Sequence, residues 1–368
     1  MVVLTVIVFV LILSVLVLIH ELGHFLVAKK FGIKVEEFGF GFPPRVFGKK
    51  IGETIYSINA LPIGGFVKLY GEDEAGAGRL SFSSAKKGDI KRAFFARSIP
   101  QRILVVVAGV AMNFILAVTI ATYLFTFSGI PNATDKVLVS QVLNGSPAQI
   151  AGLKSGDLIE KVGDVNVSST SELVTETKKH LGEEIAITVN RAGQTDVLNV
   201  TPRKDYPANQ GPMGIAIEQQ VNFQKYPFPQ SIIYGVKQAV SDSGKVVSGF
   251  VHVVKDIFGN LSVPQDVAGP IGMAQLTGEF VKIGPSAVLS LIYMLTLSLA
   301  VLNILPIPAL DGGRLFFILI EAITRRKVNA RFEAVAHMVG IVLLLTFLAV
   351  VSFQDVTRLI SGKSFFPQ

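Results

Sequence analysis

Residues 20 to 24 read His20-Glu21-Leu22-Gly23-His24. On a helix, positions i and i+4 stand one turn apart on the same face. Both imidazoles can then reach one metal ion while the adjacent carboxylate reaches a water at that ion. A catalytic zinc site takes three protein ligands and leaves a fourth position for water, whose pKa falls to about 7. Glu21 is then the general base, and it passes its proton to the leaving amine. The chain has no cysteine, which removes thiolate ligands, thiol catalysis and disulfides, so the metal must be held by His, Asp or Glu. Asp311, in "NILPIPALDGGR" at residues 303–314, supplies the third ligand. Pro306 and Pro308 cannot continue a helix, and broken backbone at membrane depth is tolerated only where protein buries it or water reaches it. Gly312 and Gly313 let this stretch approach another element closely. His20, His24 and Asp311 form the expected metal set; these ligand types would also accept cobalt or manganese.

The elements that must position these groups are membrane helices. Half of the 368 residues are hydrophobic and 17% are charged, and the apolar residues cluster in long runs, a composition of integral membrane proteins. From Val2 to Ile19 only Thr5 and Ser14 interrupt the apolar run, which is long enough to cross a bilayer. An ionisable side chain at that depth costs about 2.5–3.5 kcal/mol on insertion scales and marks function by default. The run lacks a basic n-region and a small-x-small cleavage site, so it is expected to be a retained transmembrane helix, not a cleaved signal peptide. Four spans are expected, at about 2–27, 103–127, 286–305 and 333–352, and a helix at about 314–323 is too short to cross. The net charge of +7 reflects basic residues crowded beside the spans, which fits membrane topology better than nucleic-acid binding. Residues 29–102 carry 14 Lys or Arg against 7 Asp or Glu, and Arg325, Arg326, Lys327 and Arg331 precede the last span. Both connections are therefore expected in the cytoplasm, with 128–286 and both termini outside.

Within the outer segment, the pattern from Lys136 predicts a strand, a Gly-Ser-Pro turn, a short helix and a second strand. A helix at about 171–181 and the period-two strands "EIAITVNRAG", "QTDVLNVTPR" and "MGIAIEQ" follow. This order, and "SPAQIAGLKSGDLI" in particular, resembles a bacterial PDZ domain. The resemblance implies an extended peptide, or the trimmed end of an ectodomain, bound near Met213, Gly214 and Ile215; a spacer or size filter is the alternative. Residues 52–72 predict a hairpin of two short strands around Pro62-Ile63-Gly64-Gly65. An amphipathic helix is expected in 231–260, on the outer membrane face. His180, His252 and His337 are expected to be surface or packing residues.

Taken in order, "HELGHF", "GFGF", "QRILVVVAGVAMNF", the PDZ-like insert and "NILPIPALDGG" resemble the site-2 protease family of intramembrane zinc metalloproteases, in its bacterial RseP type. The resemblance implies a helical membrane bundle of about four transmembrane helices with a membrane-associated β-hairpin, plus an inserted α+β PDZ domain. The expected parts are a first membrane half (1–127), an extracytoplasmic PDZ domain (128–222), a linker with the amphipathic helix (223–285) and a second membrane half (286–368). It implies Zn2+ on His20, His24 and Asp311, Glu21 as the catalytic glutamate, and Asn303 as a group that handles substrate and stabilises the transition state. It also implies a substrate-contacting β element at Gly64, Gly65 and Phe66. The implied substrates are single-pass transmembrane proteins in the bacterial cytoplasmic (inner) membrane, such as trimmed anti-sigma factors or remnant signal peptides, with the lipid bilayer as partner and no nucleic acid. Val110 stands where the family usually has Pro, leaving the motif asparagine at Asn113 in place. Two other classes remain: a silent membrane adaptor built on the PDZ-like part, and an ion transporter, which four spans without an inverted repeat disfavour.

Overall fold

In a computed structural model, residues 2–72, 90–207, 210–260, 264 and 267–361 are described. Residues 73–89 of the basic connection and 362–368 of the second membrane half, both included in the expectations above, lie outside them. The chain divides into two compact units, Met1–Thr126 with Pro227–Gln368, and Phe127–Tyr226.

The first unit begins with α1 (Val2–Lys30), apolar on every face as far as Ile19, then carrying His20, Glu21 and His24 before it stops at Lys29 and Lys30. Backbone inside a bilayer must satisfy its own hydrogen bonds, so the apolar run Val2–Ile19 forms a helix. Two long strands follow, β1 (Val35–Ile51) and β2 (Thr54–Leu69), paired antiparallel. The hairpin expected within 52–72 is corrected here. The turn is Gly52-Glu53, between the paired Ile51 and Thr54, and Pro62 to Gly65 lies inside β2. Phe38 pairs with both Val67 and Tyr56, and Gly39 with both Phe66 and Ser57. Segment 37–40 is thus flanked on both sides, which requires β2 to double back, and its Pro and Gly mark the bend. Ser14, one of the two breaks in the apolar run of α1, holds that bend: its hydroxyl donates to Pro62 O (2.9 Å) and accepts from Gly64 N (3.2 Å). Helix α2 (Ile99–Tyr123) starts with Pro in its first turn and with Gln101 accepting from Ser98 N at 3.3 Å.

The second unit holds β3 (Ile130–Val142), α3 (Pro147–Ile150), β4 (Leu158–Val162), β5 (Val165–Asn166), α4 (Thr170–Lys179), β6 (Ile185–Arg191), β7 (Gln194–Val200) and β8 (Ile215–Gln224). The sheet order is β7-β6-β4-β3-β8, with β5 on β4 and every pairing antiparallel. Alternate residues point inward, so Val137 and Val139, Ile187 and Val189 meet Ile159 and Leu173 in one core. The expected order of elements is present; β3 starts at Ile130, before Lys136, and β8 runs to Gln224, past residue 222. Asp157, almost fully buried, is held by Arg191 through two bonds of 2.7 Å.

Returning to the first unit, α5 (Gln230–Asn260) is the expected amphipathic helix. The remainder of the expected linker is corrected: it contains a second helix, α6 (Pro270–Ile283), directly before α7 (Pro285–Ile304). Pro270 sits in the first turn of α6, where a missing N–H costs nothing. Asp355, fully buried, accepts from Gly269 N (3.3 Å) and Gly272 N (2.8 Å) at the start of that helix. The short helix is α8 (Asp311–Thr324), and α9 (Ala330–Ile360) ends the described chain. Among the described residues, four helical stretches are long and apolar enough to cross a membrane, Thr5–Lys30, Ile99–Ser128, Pro285–Ile304 and Arg331–Ile360.

Candidate metal centre

The centre is built where α1 and α2 cross. A Cβ on Gly23 of α1 would overlap the Ala108 carbonyl of α2, and a Cβ on Gly109 of α2 would overlap the His24 and His20 rings. Small residues at this crossing let the backbones approach, as helix contacts in membranes require. His20 and His24 are consequently buried, 6% and 8% exposed, and their ring centroids lie 4.8 Å apart. The third group arrives from the chain break after α7. Gly312 packs against the carbonyls of Ile304 and Leu305, and Gly313 against that of Ile307, contacts that any side chain would prevent. Asp311 thereby becomes the first residue of α8, where the helix dipole favours a carboxylate.

Asp311 Oδ2 lies 2.8 Å from His20 Nε2 and 3.2 Å from His24 Nε2, and the two Nε2 atoms are 3.1 Å apart. One ligand atom from each residue falls within a 4.8 Å group, the one such His, Cys, Asp or Glu cluster among the described residues. Tetrahedral zinc with bonds of about 2.0–2.1 Å spaces its donors about 3.3 Å apart. The observed triangle fits such an ion with little movement. His24 Nδ1–H donates to Val105 O at 2.8 Å, which leaves Nε2 as the free lone pair. His20 Nδ1 faces the side-chain amide of Asn113 at 3.4 Å, and Asn113, fully buried, has an Oδ1 without a partner. Amide oxygen and nitrogen are interchangeable in placement. Turned over, Asn113 accepts from His20 Nδ1–H, satisfies its orphaned oxygen and frees His20 Nε2 for a cation.

Beside the triangle, Glu21 Oε2 accepts from Val67 N of β2 at 3.0 Å. Asn303 lies half-buried in the last turn of α7, just before the helix ends at Ile304. Gly64, Gly65 and Phe66 lie on the stretch of β2 that runs along α1 between Ser14 and Glu21, with Gly65 packed on Leu18. In the other unit, Met213 is buried in the core and its carbonyl accepts from Ala148 N. Gly214 O accepts from Leu143 N, and Ile215 opens β8, the strand at the sheet edge.

Sequence reasoning named Asn113 as the motif asparagine of "AGVAMNF" without giving it a role, and passed over two other contributors. His337 was expected to be a surface or packing residue, yet its Nδ1 accepts from Ala309 N at 3.1 Å, where Ala309 holds the positive φ of 84° two residues before Asp311. Val67 contributes a backbone N–H, which no side-chain pattern announces.

A helix-borne His-Glu-x-x-His joined by a distant aspartate, set in a bundle of membrane-length helices, defines a membrane metallopeptidase. Comparison with known proteins gives the family. The profile of peptidase family M50 matches residues 8–347, and the chain belongs to that family, the site-2 proteases. A protein of Clostridium perfringens is 34% identical over 344 residues, covering 93% of this chain and 96% of the relative. The zinc metalloprotease RasP of Bacillus licheniformis is 30% identical over 424 aligned positions, with 96% and 99% coverage. The regulator of sigma-W protease RasP of Bacillus subtilis is 28% identical over 426, again with 96% and 99%.

Proposed function

We propose that this chain is an intramembrane zinc endopeptidase that hydrolyses peptide bonds within the transmembrane segments of single-pass proteins. The observation that carries the reading is the convergence of His20, His24 and Asp311 at a buried helix crossing, with Glu21 adjacent. His20, His24 and Asp311 hold the zinc, which when bound supplies Lewis acidity toward water and the scissile carbonyl. Glu21 takes the proton of the attacking water and delivers it to the leaving nitrogen. Val105 and Asn113 fix the tautomers of the two histidines. The Asn303 amide donates to the oxygen that becomes negative as the carbonyl is attacked. A transmembrane substrate helix must unwind before attack, because its peptide groups are hydrogen-bonded and shielded. Gly64, Gly65 and Phe66 form the stretch that contacts the unwound segment.

The sheet unit is read as a PDZ domain outside the cytoplasm, with 29–102 and the last connection inside. Its peptide site, at the backbone of 213–215 and along β8, is supported by the edge position of β8. There it receives an extended peptide or the trimmed end of an ectodomain. Trimmed anti-sigma factors are the favoured substrates, a direction supported by the Bacillus subtilis relative's being a regulator of sigma-W protease; remnant signal peptides share the same chemistry. The test is cleavage of a single-pass substrate by the purified chain in liposomes, with the cut located by mass spectrometry. A cut inside the membrane segment that disappears in Glu21→Gln is the expected result. A cut outside the segment, or a fully active Glu21→Gln, overturns the reading.

A further inference from the structure

Glu21 and Asp311 lie on different helices, 290 positions apart in the chain, and one strand end connects them. Val67 N donates to Glu21 Oε2 at 3.0 Å. Two residues on, Leu69 N donates to Glu72 Oε2 at 3.3 Å. Alternate residues of a strand direct their N–H groups to the same edge, so two glutamates hold one edge of β2 at successive points. The other oxygen of Glu72, Oε1, is paired with the Arg314 guanidinium. Arg314 lies on α8, one turn beyond Asp311. It also stacks over the Phe94 ring at 5.9 Å, and Phe94 N donates to Tyr70 O at 2.8 Å, at the end of β2. Both partners of the ion pair are largely buried, with side chains 27% and 21% exposed. A charge-assisted pair in such surroundings holds its geometry more firmly than a solvated one.

We infer that Glu72 and Arg314 are positioning residues for Glu21: they lock the end of β2 to the helix that carries Asp311, and so fix Val67 N–H, which holds one carboxylate oxygen and aims the other. This rests on the reading of Glu21 as the general base. Without Glu72, Leu69 N loses its acceptor, and without Arg314, Glu72 loses its anchor on α8; either way the strand end loosens and the carboxylate swings. A displacement of about 1 Å at a reacting group can cost about 100-fold in rate, while ground-state substrate contacts stay intact.

The test measures kcat, KM and zinc per chain on the full-length protein in detergent with a single-pass substrate. The variants are Arg314→Ala, Glu72→Ala, the double variant, Arg314→Lys and Glu21→Gln. Each single alanine variant is expected to lower kcat by about 10–100-fold, with KM and zinc content within twofold of wild type. The double variant falls no further than either single, because both break the same link, and Arg314→Lys recovers part of the loss. Zinc lost in step with kcat overturns the inference, because the pair then serves Asp311 alone. Multiplying effects in the double variant, or a rise in KM at unchanged kcat, overturn it as well. A dead Glu21→Gln beside a fully active Arg314→Ala refutes the positioning role only; a fully active Glu21→Gln refutes the base assignment beneath it.

Discussion

The two halves of the metal site are held by different physics. His20, Glu21 and His24 sit on an uninterrupted helix, where backbone periodicity alone sets their spacing, and Gly23 and Gly109 seat that helix against α2. Asp311 follows a stretch broken by two prolines, where no helical periodicity fixes its place. It is located by close backbone packing of Gly312 and Gly313 on the carbonyls of Ile304, Leu305 and Ile307, and by two braces from distant parts of the chain, His337 on Ala309 N and Glu72 on Arg314. The helical half therefore fails when the crossing is overfilled, and the loop half fails gradually as its braces are removed.

The harshest way to break the comparison is Gly109→Leu, whose side chain would enter the space of both histidine rings. Overpacking costs about 1–3 kcal/mol or more, and here it displaces the ligands themselves. Loss of stoichiometric zinc by metal analysis, with cleavage abolished, is expected. Next comes Asn113→Ala, which removes the partner of His20 Nδ1; zinc affinity is expected to fall about 10–100-fold by chelator competition. On the loop half, His337→Ala leaves Ala309 N without its acceptor, a loss of about 1–3 kcal/mol in a thermal melt, with zinc still bound and kcat reduced severalfold. The smallest effect sharpens the helical half. Glu53 at the β1–β2 turn accepts from Arg92 (2.7 Å) and Lys29 (3.1 Å), and these bonds, Arg92 first, hold its carboxyl down at about 2. A depressed carboxyl stabilises fully above its ordinary pKa of 4.5 and loses that contribution as pH falls toward 2. Glu53→Gln is expected to lower the melting temperature slightly at pH 7, with the gap to wild type closing between about pH 4.5 and 2.

Much of the site was legible from local pattern. The i, i+4 histidines, the apolar spans and the period-two strands of the sheet unit each announce themselves within a few residues, and Asp311 stands out because charge and broken backbone are costly in a membrane. The β1–β2 element was misdrawn because Pro62 and Gly64 are turn residues used at a bend inside a strand. Helix α6 was missed because Pro270 reads as a linker when its role is to start a helix. The contacts made by Asn113, by His337 and within the Glu72–Arg314 pair were illegible for a different reason. Their partners lie between 28 and 242 positions away, and no periodicity encodes those contacts.

The most direct measurement of the two-part site is zinc K-edge X-ray absorption on purified wild type and Asp311→Ala, with zinc per chain determined on the same samples. The account predicts one zinc per wild-type chain bound by two imidazoles and at least one carboxylate oxygen. In Asp311→Ala that oxygen is lost and zinc occupancy falls. An unchanged zinc environment in Asp311→Ala, or a wild-type spectrum without imidazole scattering, would contradict it.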